Sequence, residues 1–425
     1  MIHALNEALS KLWNVTVIEV PNLLNIEKNL CTVDGLLKPF LEQNEESFGG
    51  TYINVKRNKI IIMIVDETKK DIILNSPDIQ PHIELLIFQP ALNSLSSLKN
   101  SSLQIVANSR RHRPIEVLMY IDIEENNIVI FIPFITDERN KPFIDIRNKP
   151  FMDSISQYNP VMRLFDVNMQ GQPSRKRPRN STHTKREIGR QIINGGAIYN
   201  LGSKAICTAG FWVIDEELNN YLVTAGHCID RNNTTPDHNT FYLMPLNSSE
   251  KVSSFSKKND EIGPMVFHDL KETDFGLIRI TNVAIKPTKV IRNTNSDPYR
   301  QLFIRDAETI STHGAHLCKS GTITFVTCGY IKSFEGYSFR GNDVFDNFIV
   351  TNFLSNVGDS GGPVFYLRDL PYVSLHGIVI KGFSSREWGD LTFNVKADYI
   401  ISAANRTIKL GVIHEYYQEK RLQSQ

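Results

Sequence analysis

The sequence has no hydrophobic run long enough to cross a membrane. A spanning helix needs about 20 consecutive apolar residues, whereas the longest apolar stretch, near residues 60–65, has the length of a single strand. Residues 1–16 interleave polar with apolar side chains, so they lack the unbroken apolar centre of a secretory signal. These absences predict a soluble protein without a membrane partner and, taken alone, a cytosolic one.

The sequence also lacks an excess of charge of either sign. Lys plus Arg number 47 and Asp plus Glu number 46, which gives a formal net charge of +1. Because no global positive charge is available to release counterions from a polyanion, nucleic acid is not an expected partner. The 425 residues, 41% of them hydrophobic and 22% charged, are typical of a globular protein with two or three domains.

Cysteine is scarce, but its placement is informative. Four of the five cysteines fall beyond position 200 in two close pairs, Cys207 with Cys228 and Cys318 with Cys328. This grouping favours two disulfides and an oxidising compartment over four buried reduced thiols. Cys31 has no evident partner and is expected to be a free buried thiol. The cysteines therefore predict secretion, whereas the lack of a secretory signal in residues 1–16 predicts the cytosol.

Residues 172–190 carry seven basic side chains, two prolines and small polar residues, so they are predicted to form an exposed linker. One interpretation is a plain solvated segment. The sharper one is processing by secretory convertases at basic positions, and a nucleic-acid or nuclear-localisation role is a third. The candidate processing residues are Arg177, Lys185, Arg186 and Arg190. The predicted organisation is residues 1–171, a linker over 172–191 and a second domain over 192–425.

An internal repeat precedes the linker. The pattern of residues 52–62 returns in residues 120–130 at a constant offset of 68 residues, with apolar runs on either side of a polar stretch. Two related β-hairpins are favoured over two unrelated ones. Helices are predicted near Ala4–Leu12 and over Pro39–Glu46, the second with a proline in its first position. Residues 1–171 are therefore predicted to be α+β.

After the linker, short β-prone runs alternate with turn residues, which predicts an all-β sandwich or barrel closed by a helix near Ala397–Asn405. The predicted strands are Ala205–Ile214, Asn220–Thr224, Thr240–Pro245, Phe275–Ile280, Gly321–Thr327, Asn347–Phe353, Pro363–Leu367, Val373–Gly382 and Leu391–Val395.

Three segments of this second domain carry candidate chemistry. In residues 358–363, with the sequence GDSGGP, glycines permit a sharp turn that would expose the hydroxyl of Ser360 to a substrate carbonyl. His227 ends a β-prone run beside a cysteine, and Asp274 stands at the start of an apolar strand. Each also has a plainer interpretation, namely a glycine-rich turn, a structural histidine and a turn-forming aspartate.

The order His227, Asp274, Ser360 resembles that of the chymotrypsin-like serine proteases. Three further segments, at 193–199, 224–228 and 318–329, look like the streptogrisin and alpha-lytic protease type. The resemblance implies two antiparallel β-barrels preceded by a pro-region, to which the hairpins are similar. It also implies that Ser360 attacks the scissile carbonyl, that His227 carries the proton and that Asp274 orients the imidazole.

The resemblance implies an oxyanion hole formed by the N–H groups of Gly358 and Ser360 and no cofactor or metal. The histidines at 313 and 316 form only a weak metal-site candidate.

The substrate pocket is expected at Leu354, Ile380, Lys381 and Gly382. Leu354 replaces the aspartate that binds basic side chains in trypsin-like relatives, so an apolar residue before the cut is predicted. Lys381 leaves acidic groups open as an alternative. Val379 stands where Glu-specific relatives carry a histidine.

The expected function is a serine endopeptidase made as a zymogen, secreted, and acting on polypeptides through an acyl-enzyme. Its pro-region would be an intramolecular chaperone and inhibitor, since long-range strand pairing makes such folds slow to form. The competing hypothesis is a catalytically inactive homologue that binds proteins through the same cleft.

Overall fold

A computed structural model describes residues 7–134, 141–166 and 193–412, apart from gaps in the last range at 231, 234, 236–237, 245–259, 294–299, 308, 370, 386 and 407. We call residues 7–166 the N-terminal region and residues 193–412 the C-terminal region. The four predicted processing residues, Arg177, Lys185, Arg186 and Arg190, lie outside the described residues. Among the described helices, none is both long enough and apolar enough to span a membrane.

The N-terminal region opens with helix α1 (Glu7–Trp13) and then repeats one succession of elements twice. The first copy consists of α2 (Val20–Gln43), β1 (Phe48–Asn54), β2 (Lys59–Ile64), α3 (Lys70–Leu74) and β3 (Leu86–Pro90). The second consists of α4 (Leu95–His112), β4 (Val117–Asp122), β5 (Asn127–Phe134), α5 (Lys141–Ile155) and β6 (Val161–Asp166).

The two copies share their strand pairing as well as their order. In each, the first two strands are antiparallel and the third is parallel to the second. The hairpin turns match too, since Asn58 and Asn126 both adopt a left-handed backbone, with φ of 51° and 49°. Asparagine tolerates this conformation better than most residues. The predicted hairpins are confirmed, and the repeat extends to a whole helix-containing unit.

The helix predicted to begin at Pro39 is wrong. Helix α2 begins at Val20, with a proline in its first turn, and Pro39 lies inside it near its end. Leu30, Leu37 and Leu41 are buried along one face, so the apolar face runs past the proline. A proline inside a helix leaves the carbonyl four residues earlier without its helical N–H partner. Burial of that face outweighs the local cost.

The C-terminal region is almost entirely β. Its strands are β7 (Ala197–Asn200), β8 (Ile206–Thr208), β9 (Trp212–Asp215), β10 (Asn220–Thr224), β11 (Thr240–Leu243), β12 (Glu261–Asp269), β13 (Phe275–Arg279), β14 (Val290–Arg292), β15 (Gln301–Asp306), β16 (His316–Gly321), β17 (Phe325–Arg340), β18 (Asp343–Thr351), β19 (Pro363–Asp369), β20 (Tyr372–Ser385), β21 (Gly389–Lys396) and β22 (Leu410–Val412). Helix α6 (Ala397–Ala404) confirms the predicted closing helix.

These strands form two barrel-like sheets. The first is antiparallel, in the order β22-β9-β10-β13-β12-β11-β7-β8. In the second, β17, β18, β21, β20, β19 and β16 pair successively and β16 returns to β17, which closes a ring of antiparallel strands. Closure removes the exposed edges that an open sheet would leave. The predicted all-β fold after an α+β region is confirmed.

The prediction of one continuous strand over Gly321–Thr327 is wrong. Residues 322–324 form the turn between β16 and β17, although all three are β-branched. Their N–H groups bind side chains instead of a neighbouring strand: Thr322 donates to Thr208, and Ile323 and Thr324 donate to Asp359. Tertiary hydrogen bonds thus override the local preference for strand.

The two regions are joined through a shared sheet. Strand β4 pairs antiparallel with β17, and β5 and β6 extend the second sheet beyond it. Leu30 and Leu37 of α2 belong to the same buried hydrophobic cluster as Leu317 and Phe365 of the C-terminal region. The first copy also docks through its backbone, where Ile53 N–H donates to the carbonyl of His313 at 2.9 Å.

We expect Gly314→Ala to loosen this docking. Gly314 has φ of +80°, and an added Cβ would lie 2.4 Å from the carbonyl oxygen of Ile53. The strained backbone costs about 1–2 kcal/mol, and the clash adds about 1–3 kcal/mol. The measurement is the free energy of unfolding of the full chain in urea. Gly341→Ala is the control, because Gly341 has φ of +65° with nothing within 4 Å of the new Cβ. Equal losses for the two variants would contradict the docking contact.

Candidate active site

His227 lies in a single helical turn (Gly226–Cys228) directly after β10. Its ring Nδ1 is 2.7 Å from Oδ2 of Asp274, and its backbone N–H donates to Oδ1 of the same carboxylate at 2.9 Å. Asp274, only 9% exposed, precedes β13, which pairs with β10. Neighbouring strands therefore bring the two residues together, and the carboxylate leaves Nε2 as the ring nitrogen available for proton transfer.

Both predicted disulfides are present. Cys207–Cys228 joins β8 to the turn that carries His227, and Cys318–Cys328 crosses the β16–β17 pair. The first covalent link lies one residue from the imidazole and limits how far its turn can move. Cys31 is in no disulfide, and burial raises the pKa of its thiol well above the usual range.

Ser360 lies in the turn before β19, and this turn packs against the turn of His227. An added Cβ on Gly361 would lie 2.9 Å from the backbone nitrogen of Ala225, two residues before the imidazole. Only glycine permits so close an approach. The Ser360 hydroxyl donates to the carbonyl of Ile380 at 3.2 Å, so in this conformation its proton points to β20. Catalytic hydrogen bonds commonly shorten only when substrate is bound.

A buried ion pair between Asp359 and Lys319 stabilises the turn that contains Ser360. Asp359 and Lys319 are fully buried, with 3.4 Å between carboxylate and ammonium. Asp359 also accepts N–H groups from Ile323 and Asn356. Burial alone would raise the pKa of Asp359, but Lys319 and the hydrogen bonds hold it below its usual value. Its stabilising contribution is therefore complete above about pH 4 and is lost as pH falls through the lower folded value.

Thr208 fixes the backbone on both sides of Asp359. Its hydroxyl donates to the carbonyl of Gly358 at 2.7 Å, and its N–H donates to the carbonyl of Ser360 at 2.8 Å. These contacts fix the peptide units that follow Gly358 and Ser360, the two residues whose N–H groups are predicted to form the oxyanion hole. Thr208, Lys319 and Asp359 are not among the site residues predicted from the sequence. Three sequence features could have pointed to them: a threonine beside Cys207, a lysine between Cys318 and Cys328, and an aspartate inside GDSGGP.

The four predicted pocket residues lie on two adjacent segments. Leu354 is 38% exposed, whereas Ile380 is buried. Gly382 packs so tightly on Ser355 that an added Cβ would lie 1.9 Å from its hydroxyl. Lys381 forms an ion pair with Glu116 of the N-terminal region.

The histidines considered as metal ligands have other contacts. His313 is half-buried, its ring packs 4.9 Å from that of Phe334, and desolvation lowers its pKa to about 3. His316 Nδ1 lies 2.5 Å from Glu27 of α2. Within the described ranges, no group of three or more His, Cys, Asp or Glu residues is arranged to hold a metal ion.

The C-terminal region also matches known proteins in sequence. Residues 196–402, a little under half of the chain, match the family described as Trypsin. Serine protease 2 of Streptomyces fradiae is 27% identical over 175 residues, which cover 41% of this chain and 87% of that protein. The C-terminal region is thus a chymotrypsin-like serine protease domain, and the chain is a serine endopeptidase whose substrates are polypeptides.

Solved structures of bacterial proteases also resemble the chain. Thermobifida fusca Protease A is 22% identical with a TM-score of 0.39, and it aligns over 52% of this chain and 99% of its own. Nocardiopsis Protease is 20% identical with a TM-score of 0.40, over 51% and 97% of the respective chains.

We expect Lys319→Met to disable the site by leaving the Asp359 carboxylate buried without its countercharge. Removing one member of a buried ion pair typically lowers the free energy of unfolding by about 3–5 kcal/mol. The measurements are denaturant unfolding and peptide hydrolysis. Lys319→Arg keeps the charge and should retain most of both properties. Full activity in Lys319→Met would show that the ion pair does not support the Ser360 turn.

Proposed function

We propose that Ser360, His227 and Asp274 act as a catalytic triad. The observation that supports this most directly is the bidentate contact of Asp274 with the ring and backbone of His227, beside a turn that packs against the turn of Ser360. Ser360 Oγ attacks the scissile carbonyl as Nε2 of His227 takes its proton. The same nitrogen then protonates the leaving amine. Asp274 keeps Nδ1 protonated and stabilises the imidazolium.

The N–H groups of Gly358 and Ser360 are proposed to hold the developing oxyanion. Each preorganised donor of this kind is worth about 3 kcal/mol of transition-state stabilisation. The carbonyls of both residues bind Thr208, which supports a fixed backbone on either side of Asp359. Water then hydrolyses the acyl-enzyme by the same proton route in reverse.

The pocket next to the cut is proposed to take an apolar side chain. Leu354 offers no countercharge to a lysine or arginine, and the neighbouring wall contains Ile380 and Gly382.

The N-terminal region is proposed to be an inhibitory pro-region and folding aid. It adds β4 to β17 of the protease domain and contributes to its hydrophobic cluster. Release is proposed to follow cleavage within 172–191, with the mature chain starting near Ile192 or Ile193. The two disulfides support an extracellular destination.

Ser360→Ala should abolish peptide hydrolysis and labelling by a fluorophosphonate, while the unfolding transition of the full chain stays unchanged. The hydroxyl is the proposed nucleophile and is partly exposed, so its loss removes chemistry without removing core packing. Ser333→Ala serves as a control with a serine far from the proposed nucleophile in sequence. Hydrolysis by Ser360→Ala would refute the nucleophile. Absence of labelling in the unaltered, processed protein would instead favour the inactive, protein-binding homologue.

Edman sequencing of the natural mature form should give a start within residues 187–194. Cleavage there separates the basic linker from the protease domain, and Lys185→Ala with Arg186→Ala should block or shift it. A mature form that still begins before residue 172 would contradict the zymogen proposal.

A further inference from the structure

Glu116 places a carboxylate of the N-terminal region between two cations of the protease domain. Its Oε1 lies 2.6 Å from Nε of Arg340, the last residue of β17. Its Oε2 forms an ion pair with Nζ of Lys381 on β20. Glu116 also has φ of +57°, a left-handed conformation that is uncommon for a residue with a side chain. Such strained residues cluster at functional contacts.

Lys381 lies beside the proposed reacting centre. The residue before it, Ile380, accepts the hydrogen bond from the Ser360 hydroxyl. Lys381 and Arg340 also share the lining of one small cavity with Asp274 and with Leu118 of β4. Strand β4 therefore contributes to the wall of the cavity that the two cations line.

The two cations depend on Glu116 for their countercharge. Burial lowers the pKa of Lys381, while the nearby Glu116 carboxylate acts in the opposite direction. The other carboxylate in the cavity lining is Asp274, which raises the pKa of Lys381 less than Glu116 does and already binds the backbone N–H and the ring Nδ1 of His227. When β4 leaves, Lys381 and Arg340 face the cleft without Glu116.

We propose that Lys381 and Arg340 form a subsite for an acidic side chain of the polypeptide substrate, close to the scissile bond. Glu116 occupies this subsite in the precursor and so mimics the substrate. The inference rests on the proposed function, because it needs Ser360 to be the attacking residue. The subsite is separate from the apolar pocket next to the cut. The enzyme binds an apolar side chain in that pocket and a carboxylate in the subsite, a short distance away.

The test uses the full chain, processed as the natural protein is, and pairs of peptides that differ only by Glu or Gln at one position. Each peptide has the same apolar residue before the cut, and the position of the Glu or Gln is moved across four residues on either side. Mass spectrometry of both peptides in one tube gives the ratio of their kcat/KM values. That ratio does not depend on how much of a variant is folded.

We expect the Glu peptide to be preferred about tenfold or more at one position, because a charged pair with hydrogen bonds discriminates strongly against the neutral isostere. Lys381→Met should bring the ratio close to one, and Lys381→Arg should largely restore it. Lys332→Met is the matched control. Lys332 pairs with Asp122 and Glu124 of the N-terminal region but lines a different cavity, so the ratio should be unchanged.

A second variant tests the mimicry from the other side of the interface. Glu116→Gln keeps the protease domain intact and should make the unprocessed precursor easier to label with a fluorophosphonate. A ratio near one at all positions, or a ratio that survives in Lys381→Met, overturns the subsite while peptide hydrolysis itself continues. Failure to cleave any peptide overturns the proposed function instead, so the two failures are distinct.

Discussion

One carboxylate fixes both the ring and the backbone of His227, and the rest of the site is arranged around that contact. Asp274 is nearly buried, so its oxygens need hydrogen-bond donors, and His227 supplies two of them. The two residues are 47 positions apart in sequence, yet β10 and β13 pair directly. The strand register of the first sheet therefore determines which imidazole nitrogen faces the cleft.

Hydrogen bonds to buried polar groups also fix the Ser360 turn. Asp359 and Thr208 bind it to the β16–β17 turn and to β8, which belong to different sheets. The hydroxyl proposed to attack the substrate lies at the junction of two sheets and is positioned by both of them. This explains why residues 322–324 do not pair as a strand. Their N–H groups bind Thr208 and Asp359, which hold the Ser360 turn. Buried polar networks of this kind fix a single arrangement when every member has a partner.

Local patterns predicted the parts of the structure that local patterns control. The hairpins of the N-terminal repeat, most strands of the C-terminal region and α6 followed from alternation and turn residues. The helix start predicted at Pro39 is wrong because burial of the apolar face of α2 outweighs the cost of a proline inside the helix. That burial depends on tertiary contacts, which a local pattern does not show. The ion pairs Lys319–Asp359 and Lys381–Glu116 join residues 40 and 265 positions apart. No spacing rule connects such residues, so the partner of Lys381 could not be predicted from the sequence.

The charges at the interface between the two regions are distributed asymmetrically. Glu116 and Asp122 of the N-terminal region form ion pairs with Lys381 and Lys332 of the C-terminal region, and the Glu27 carboxylate lies against Nδ1 of His316. Because burying such pairs costs desolvation, they add little net stability but disfavour any other docking register. If the regions separate as proposed, each of these side chains loses the partner that now faces it. Such an interface would be specific while the regions are joined, and the proposed cleavage within 172–191 would let them part.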